Sequence, residues 1–254
     1  MLYKTLAKWL FISSIALFVT ACVITQSNRD SMSKQEQANL YLQMGVRYLE
    51  MDMLKIAKGH LENAEDIDSG NASVQNILGV LHERLNESEE AAYHYQNAMR
   101  LDSDDASIKN NYGRFLCEQG DYKEGLELLK QALVMPLNNK KWFAYTNMGL
   151  CEAKYGEQAQ AEYNFRQALR VNKNYAPSLF EMQKISYRAG KYMSARAFLE
   201  RYLAVSKHNA QTLWYAVQTE RALGNKQLTE EYRAKLFSLF PGSKEAQQLN
   251  TAVK

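Results

Sequence analysis

The sequence has almost no excess of charge of either sign. Its 254 residues carry 31 Lys and Arg against 28 Asp and Glu. Lys4 and Lys8 lie in an N-terminal stretch expected to be removed, which leaves 29 against 28. That balance gives no support for a nucleic-acid surface. Long apolar runs are also missing: Trp9–Thr20, about twelve residues, falls short of the roughly 20 that span a bilayer. There is no glycine-rich phosphate loop, no nucleophile elbow and no paired-carboxylate motif. The four histidines, His60, His82, His94 and His208, show no i,i+4 pairing and no acidic partner at ligand spacing, so they read as solvated or packed helix residues. Glu87, Glu89 and Glu90 open a helix, where carboxylates complement the dipole. Neither catalysis nor a cofactor is expected. Cysteine is scarce, with three residues. The rest, 46% hydrophobic and 23% charged, is ordinary globular composition.

What is present is a period. Ala106–Leu133 breaks into two amphipathic helices around Gly120-Asp121-Tyr122. The first carries Ile108, Tyr112, Phe115 and Leu116 at helical spacing, and the second carries Leu126, Leu129, Ala132 and Leu133. Two short helices bury one face against each other and leave a second face open for a neighbour of the same kind. Gly45, Gly79 and Gly113 recur every 34 residues, with Gly149 a further 36 along. Turn glycines Gly120, Gly156, Gly190 and Gly224 follow the same spacing. So do Ala57, Ala91, Gly125, Ala161 and Ala195, and Ala64, Ala98, Ala132 and Ala168. Leu61, Tyr95, Leu129, Phe165 and Leu199 supply bulk beside these small residues. A 34-residue helix–turn–helix period is the tetratricopeptide signature. The fold class expected is an all-α tetratricopeptide superhelix of about six units with a C-terminal capping helix.

The units run 38–71, 72–105, 106–141, 142–175, 176–209 and 210–243, with 244–254 as cap or tail. The third is longer by two residues, absorbed in Pro136–Lys141. Gln183 and Val217 stand where earlier units have glycine, and the sixth has Thr229 and Arg233 at its small and large positions. A polar, degenerate last unit suits a solubilising cap.

Residues 1–21 have the form of a secretory signal, with Lys4 and Lys8 before the apolar run. Val19-Thr20-Ala21-Cys22 resembles the lipobox of bacterial lipoproteins, with Val19 in place of the usual leucine. The resemblance implies cleavage before Cys22, a diacylglyceryl group on its sulfur and an acyl chain on the new N-terminus. Such multiple chains anchor stably. The alternatives are an uncleaved anchor, or an ordinary signal with an incidental cysteine. Val23, rather than Asp, resembles the pattern sent to the outer membrane of a Gram-negative cell. Residues 22–37 read as the lipidated N-terminus and a flexible tether, with an r.m.s. span of roughly 20 Å.

Cys117 and Cys151 remain, each near the middle of the first helix of its unit. In an oxidising periplasm an even pair reads as a disulfide, closing a loop of roughly 35 residues and contributing roughly 3–4 kcal/mol. The alternative is two separate buried thiols packing as small apolar groups.

In tetratricopeptide stacks the first helices line a groove, and the second, fifth, ninth and twelfth residues of each unit face into it. These are Asn39, Leu42, Val46 and Leu49; Ser73, Asn76, Val80 and Glu83; Ser107, Asn110, Arg114 and Cys117; and Phe143, Thr146, Leu150 and Ala153. Leu42, Val46, Leu49 and Val80 make an apolar strip beside amides, suited to an amphipathic partner segment. The tether or the C-terminal helix covering the strip is the alternative. The candidate binding residues are Leu42, Val46, Leu49, Asn76, Val80, Glu83, Asn110 and Arg114.

A lipobox, six such repeats, and the wording NNYGRFLCEQGDYKEG with a second cysteine one repeat later resemble the type IV pilus biogenesis/stability lipoproteins of the PilW/PilF type. These are the pilotins of the pilus secretin. The resemblance implies an outer-membrane lipoprotein, facing the periplasm, that binds the secretin subunit and promotes its localisation and ring assembly. A tetratricopeptide envelope scaffold for peptidoglycan enzymes or barrel assembly is the competing expectation. A lipid-anchored enzyme is a third, disfavoured by the lack of a site.

Overall fold

A computed structural model describes residues 32–251, and these form thirteen α-helices without a strand. They divide into two compact units, one ending at Asp102 and the other beginning at Ser103. In the first, α1 (Lys34–Glu50) pairs with α2 (Leu54–Ile67), and α3 (Ala72–Arg84) pairs with α4 (Ser88–Leu101). In the second, α5 (Ala106–Gln119) pairs with α6 (Tyr122–Val134) and α7 (Lys141–Lys154) with α8 (Gln158–Val171). There α9 (Ala176–Arg188) also pairs with α10 (Tyr192–Leu203), α11 (Ala210–Ala222) pairs with α12 (Lys226–Leu239), and α13 (Lys244–Thr251) closes the chain. The all-α repeat of helix pairs is the architecture that the 34-residue period implies. The signal segment and Cys22 lie outside the described residues.

Local chemistry sets the helix ends. Ser33 and Glu36 form a capping box, with the Ser33 N–H donating to Glu36 Oε2 at 2.8 Å and the Glu36 N–H to Ser33 Oγ at 3.2 Å. This box satisfies orphan donors and starts α1 at Lys34, so residues 34–37 are helix rather than the tether the sequence suggested. Asn71 and Asp105 accept backbone N–H bonds at the starts of α3 and α5, and Asn209 forms a second capping box with Thr212 at α11. Each pair then turns through one left-handed residue. Gly120, Gly156, Gly190 and Gly224 take φ of +112°, +90°, +70° and +74°. In the first two pairs the position falls to Asp52 and Asn86, at φ 60° and 61°, residue types that tolerate this region. The residue after each turn donates back five positions, as Glu87 N–H does to the His82 carbonyl at 2.9 Å and Asp121 N–H to that of Leu116 at 2.9 Å. This bond is the Schellman closure.

Within each pair, a small residue lets the helices meet and a large one fills the space beside it. A Cβ at Gly45 would lie 2.6 Å from Leu61, at Gly79 2.7 Å from Tyr95, and at Gly149 2.8 Å from Phe165. In the third pair two glycines meet, and a Cβ at Gly125 would come within 2.5 Å of the Gly113 carbonyl oxygen. Unpartnered buried polar atoms gather where the pattern departs, although His60 Nδ1 in the first pair has no partner either. Gln183 fills a glycine position and is wholly buried, and its Oε1 has no partner, like the nearby Trp214 Nε1 and Thr219 Oγ1. Orphaned polar groups of this kind destabilise by about 1–3 kcal/mol each. Against this, Arg196 clamps the buried Glu220 with two bonds, and α13 seats Ala246 and Leu249 on Leu213, Val217 and Leu236.

Buried polar groups distinguish the two units. In the first, His82 and His94 stack at 5.1 Å with 15° between their planes. His82 Nδ1 lies 2.6 Å from Glu87 Oε2. His94 Nδ1 lies 2.8 Å from Gln75 Oε1 and 3.9 Å from Glu65 Oε1. These two histidines therefore do have acidic neighbours, though not at ligand spacing. One is reached across a turn and the other from α2, separations that ligand spacing does not register. Among the described residues, no three His, Cys, Asp or Glu side chains converge as metal ligands. Burial pushes the His94 pKa below its ordinary value, and the nearby Glu65 opposes that shift. In the second unit, Cys117 and Cys151 are bonded with Cα atoms 5.6 Å apart, which joins α5 to α7. Glu152 follows, buried and accepting from Asn164 Nδ2 at 2.7 Å, and burial raises its pKa.

Three measurements test this packing. Gly125→Ala drives a methyl into backbone and should lower stability by about 1–3 kcal/mol. Gly59→Ala, where a Cβ meets nothing within 4 Å, should raise it by about 0.5–1 kcal/mol; urea melts compare the two. Replacing Cys117 and Cys151 by Ser should lower stability by roughly 3–4 kcal/mol through loop-closure entropy, read from the urea midpoint. Because the His94 pKa is depressed in the fold, as is that of His208, the unfolded chain binds more protons in acid. Their stabilisation is present above the ordinary histidine value of about 6.5 and is lost as pH falls through the folded values. Thermal midpoints should drop between pH 7.5 and 5.5, and His94→Gln should shrink that drop.

Candidate partner-binding surface

The first helices of consecutive pairs lie side by side, α1 against α3 in the first unit and α5 against α7 in the second. Tertiary bonds set that alignment. Arg84 Nη1 donates to the Leu49 carbonyl at 2.7 Å, and Nη2 reaches Asp52 at 2.8 Å, so a side chain of α3 caps the end of α1. Lys154 acts likewise from α7, donating to the Glu118 carbonyl at 2.7 Å, and the Tyr155 hydroxyl donates to that of Cys117 at 3.3 Å. Cations near these helix ends also complement the dipole.

On the α1–α3 face, the structure brings Leu42, Val46, Leu49, Asn76, Val80 and Glu83 onto adjacent helices. Leu49 and Asn76 are 6% and 4% exposed, so neither offers much to a partner. Leu49 is a member of the core cluster with Ala57, Leu61, Val74 and Leu78, and Leu42 and Val80 pack against it from outside. The available strip is therefore the outer sides of Leu42, Val46 and Val80, all half-buried. Glu83 accepts from the Tyr95 hydroxyl at 2.6 Å, which commits its carboxylate to the α3–α4 pair. In the second unit, Asn110 accepts from Asn147 Nδ2 at 3.1 Å, and Arg114 pairs with Glu118 at 2.9 Å. The C-terminal helix α13 packs on α11 and α12, within the second unit; the tether lies mostly outside the described residues.

Functional candidates missed from the sequence lie on α9 and α11. Continuing the fifth, ninth and twelfth positions into the fifth and sixth units gives Phe180, Lys184 and Tyr187, then Trp214, Gln218 and Arg221. These faces carry more aromatic surface than the α1–α3 strip. The signal was the same register, extended through units whose glycines had gone. No described helix is long and apolar enough to cross a membrane.

No family model matches the chain. It is 28% identical over 237 residues to the type IV pilus assembly protein PilF of Pseudomonas aeruginosa, covering 92% of this chain and 94% of that one. The solved structure of P. aeruginosa PilF superposes with a TM-score of 0.73 at 29% identity, over 86% of this chain and 99% of that one. PilW, a widely conserved type IV pilus biogenesis factor, superposes at 0.72 with 27% identity, over 84% and 97%. YrrB, a tetratricopeptide protein with an unusual peptide-binding site, shares the fold at 19% identity and a TM-score of 0.52, over 75% of this chain and 97% of that one. In sequence across 92% of its length and in its pattern of paired helices, the chain is a homologue of PilF and PilW, tetratricopeptide proteins of type IV pilus biogenesis.

Proposed function

We propose that the protein is a non-catalytic outer-membrane lipoprotein that binds the type IV pilus secretin and promotes its localisation and multimer assembly. The observation that carries this reading is the end-to-end likeness to PilF, 92% of one chain against 94% of the other. The lipobox-like Val19–Cys22 supports the membrane placement.

Two physical steps make up the mechanism. Acyl chains on Cys22 hold the repeat body near the membrane, and binding there raises the local concentration of secretin subunits. The strip of Leu42, Val46 and Val80 receives the apolar side of an amphipathic secretin segment. Burying one such side chain stabilises the complex by about 1.5–3 kcal/mol.

Val46→Asp places a charge in that strip at a half-buried site and should weaken binding of purified secretin at least about tenfold. Val80→Asp should do the same, though its contact with the core calls for a melting curve alongside. Secretin binding at wild-type strength by a folded Val46→Asp protein would sink the strip assignment. In a deletion strain, secretin multimers should be lost from the outer membrane and restored by wild type but not by Cys22→Ala. Normal multimers in that strain would overturn the secretin reading itself.

A further inference from the structure

Five aromatic rings of the second unit run together across α9, α11 and the start of α10. Tyr187 lies 5.5 Å from Tyr215, 6.2 Å from Trp214 and 5.7 Å from Tyr192. Trp214 and Tyr215 meet at 4.9 Å with 87° between their planes, and Phe180 joins at 6.4 Å from Tyr215. Trp214 rests one side on the core of the last pair, and Phe180 rests on the cluster around Leu179 and Tyr202. All five rings are half-buried, so each keeps part of its surface outside the core.

The charges around these rings are one-sided. Helices α9 and α11 carry two carboxylates, and both are engaged: Glu181 with Lys184 at 2.8 Å, and Glu220, almost wholly buried, with Arg196. Lys184 also lies over the Phe180 ring, 5.1 Å from its centre. Arg188 and Arg221 are exposed. Arg188 Nη2 donates to the Tyr215 hydroxyl at 3.3 Å, which holds a guanidinium at the rim of the rings. Arg221 is near enough to Tyr187 for its charge to oppose the upward shift that burial gives the phenol. The result is rigid apolar area edged by two guanidiniums that no carboxylate among the described residues pairs with. Trp, Tyr and Arg dominate binding hot spots, because they bring large contact area with few rotors and forked donors.

We propose that Phe180, Tyr187, Trp214 and Tyr215, with Arg188 and Arg221, form a docking face for an extended acidic segment of a partner protein. Its apolar side chains lie on the rings, and its carboxylates meet the two arginines. This face is built on helices other than those of the α1–α3 strip and does not depend on the secretin reading. Single-stranded nucleic acid is the less favoured occupant. Trp214 and Tyr215 meet the Tyr187 ring edge to face, at 72–76°, and Tyr192 is tilted to it by 52°, so the rings offer no ladder of parallel plates for successive bases to stack on.

The test uses the full-length protein and fluorescence anisotropy with four probes. These are a labelled peptide repeating Asp-Leu-Pro, its Lys-Leu-Pro counterpart, oligothymidylate, and phosphatidylglycerol vesicles. The acidic peptide should bind, and the lysine peptide should bind at least about tenfold more weakly. Arg188→Glu with Arg221→Glu, both at exposed positions that spare the core, should weaken the acidic peptide at least about tenfold. Val46→Asp should leave that binding unchanged. Tyr187→Ala, checked by thermal melting, should also weaken it; if that variant melts early, the arginine pair alone decides. The proposal is overturned if both peptides bind alike, if neither binds, or if charge reversal has no effect. Tighter binding of oligothymidylate or vesicles through the same arginines would overturn it as well.

Discussion

Close approach of paired helices is the constraint on which the rest of this structure depends. Where Gly45, Gly79 and Gly149 stand, a single Cβ would come within 2.6–2.8 Å of the facing Leu61, Tyr95 or Phe165. Each pair can close only if one side stays small and the other supplies bulk. Close-packed interiors do not absorb an extra methylene without shifting neighbours. The 34-residue period follows from this requirement, since every pair must solve the same contact and then present a comparable outer face to the next.

Turns and caps carry the second level of the design. The left-handed turn residue is glycine in four pairs, and Asp52 or Asn86 in the other two. The closing bond to a carbonyl five residues back is kept in all of them. Side chains then knit neighbouring first helices. Arg84 and Lys154 reach across to helix-terminal carbonyls, and the Cys117–Cys151 bridge ties α5 to α7, the first helices of the pairs joined by the irregular Pro136–Lys141 linker. Where Gln183 and Val217 replace glycine, the packing is looser in its polar accounting: three buried polar atoms there have no partner. The Arg196–Glu220 clamp and α13 stabilise the end of the chain in their place.

Function arises from what the repeat leaves over. First-helix residues that do not serve the pair interior are free to vary, and they vary differently along the chain. On α1 and α3 they include the aliphatic Leu42, Val46 and Val80, whereas on α9 and α11 they include aromatic and cationic residues. One scaffold thereby presents two faces of unlike chemistry.

The sequence alone determined the helix pairing, its period and the small-against-large contacts, because these are local or recur at a fixed spacing that counting reveals. The pairing of Cys117 with Cys151 was half legible: the spacing put them on neighbouring first helices, while their 5.6 Å Cα separation needed the packed structure. Only the tertiary structure decided which groove-register residues are surface. Leu49 and Asn76 hold groove positions by count, yet Leu49 packs into the cluster shared by α1, α2 and α3, and Asn76 is also buried. The start of α1 at Lys34 and the stacked His82 and His94 were likewise hidden, since both rest on hydrogen-bond partners chosen by geometry. Period tells which residues are equivalent. How far each neighbouring helix leans over them settles what remains exposed, and that depends on side-chain volumes summed across several helices at once.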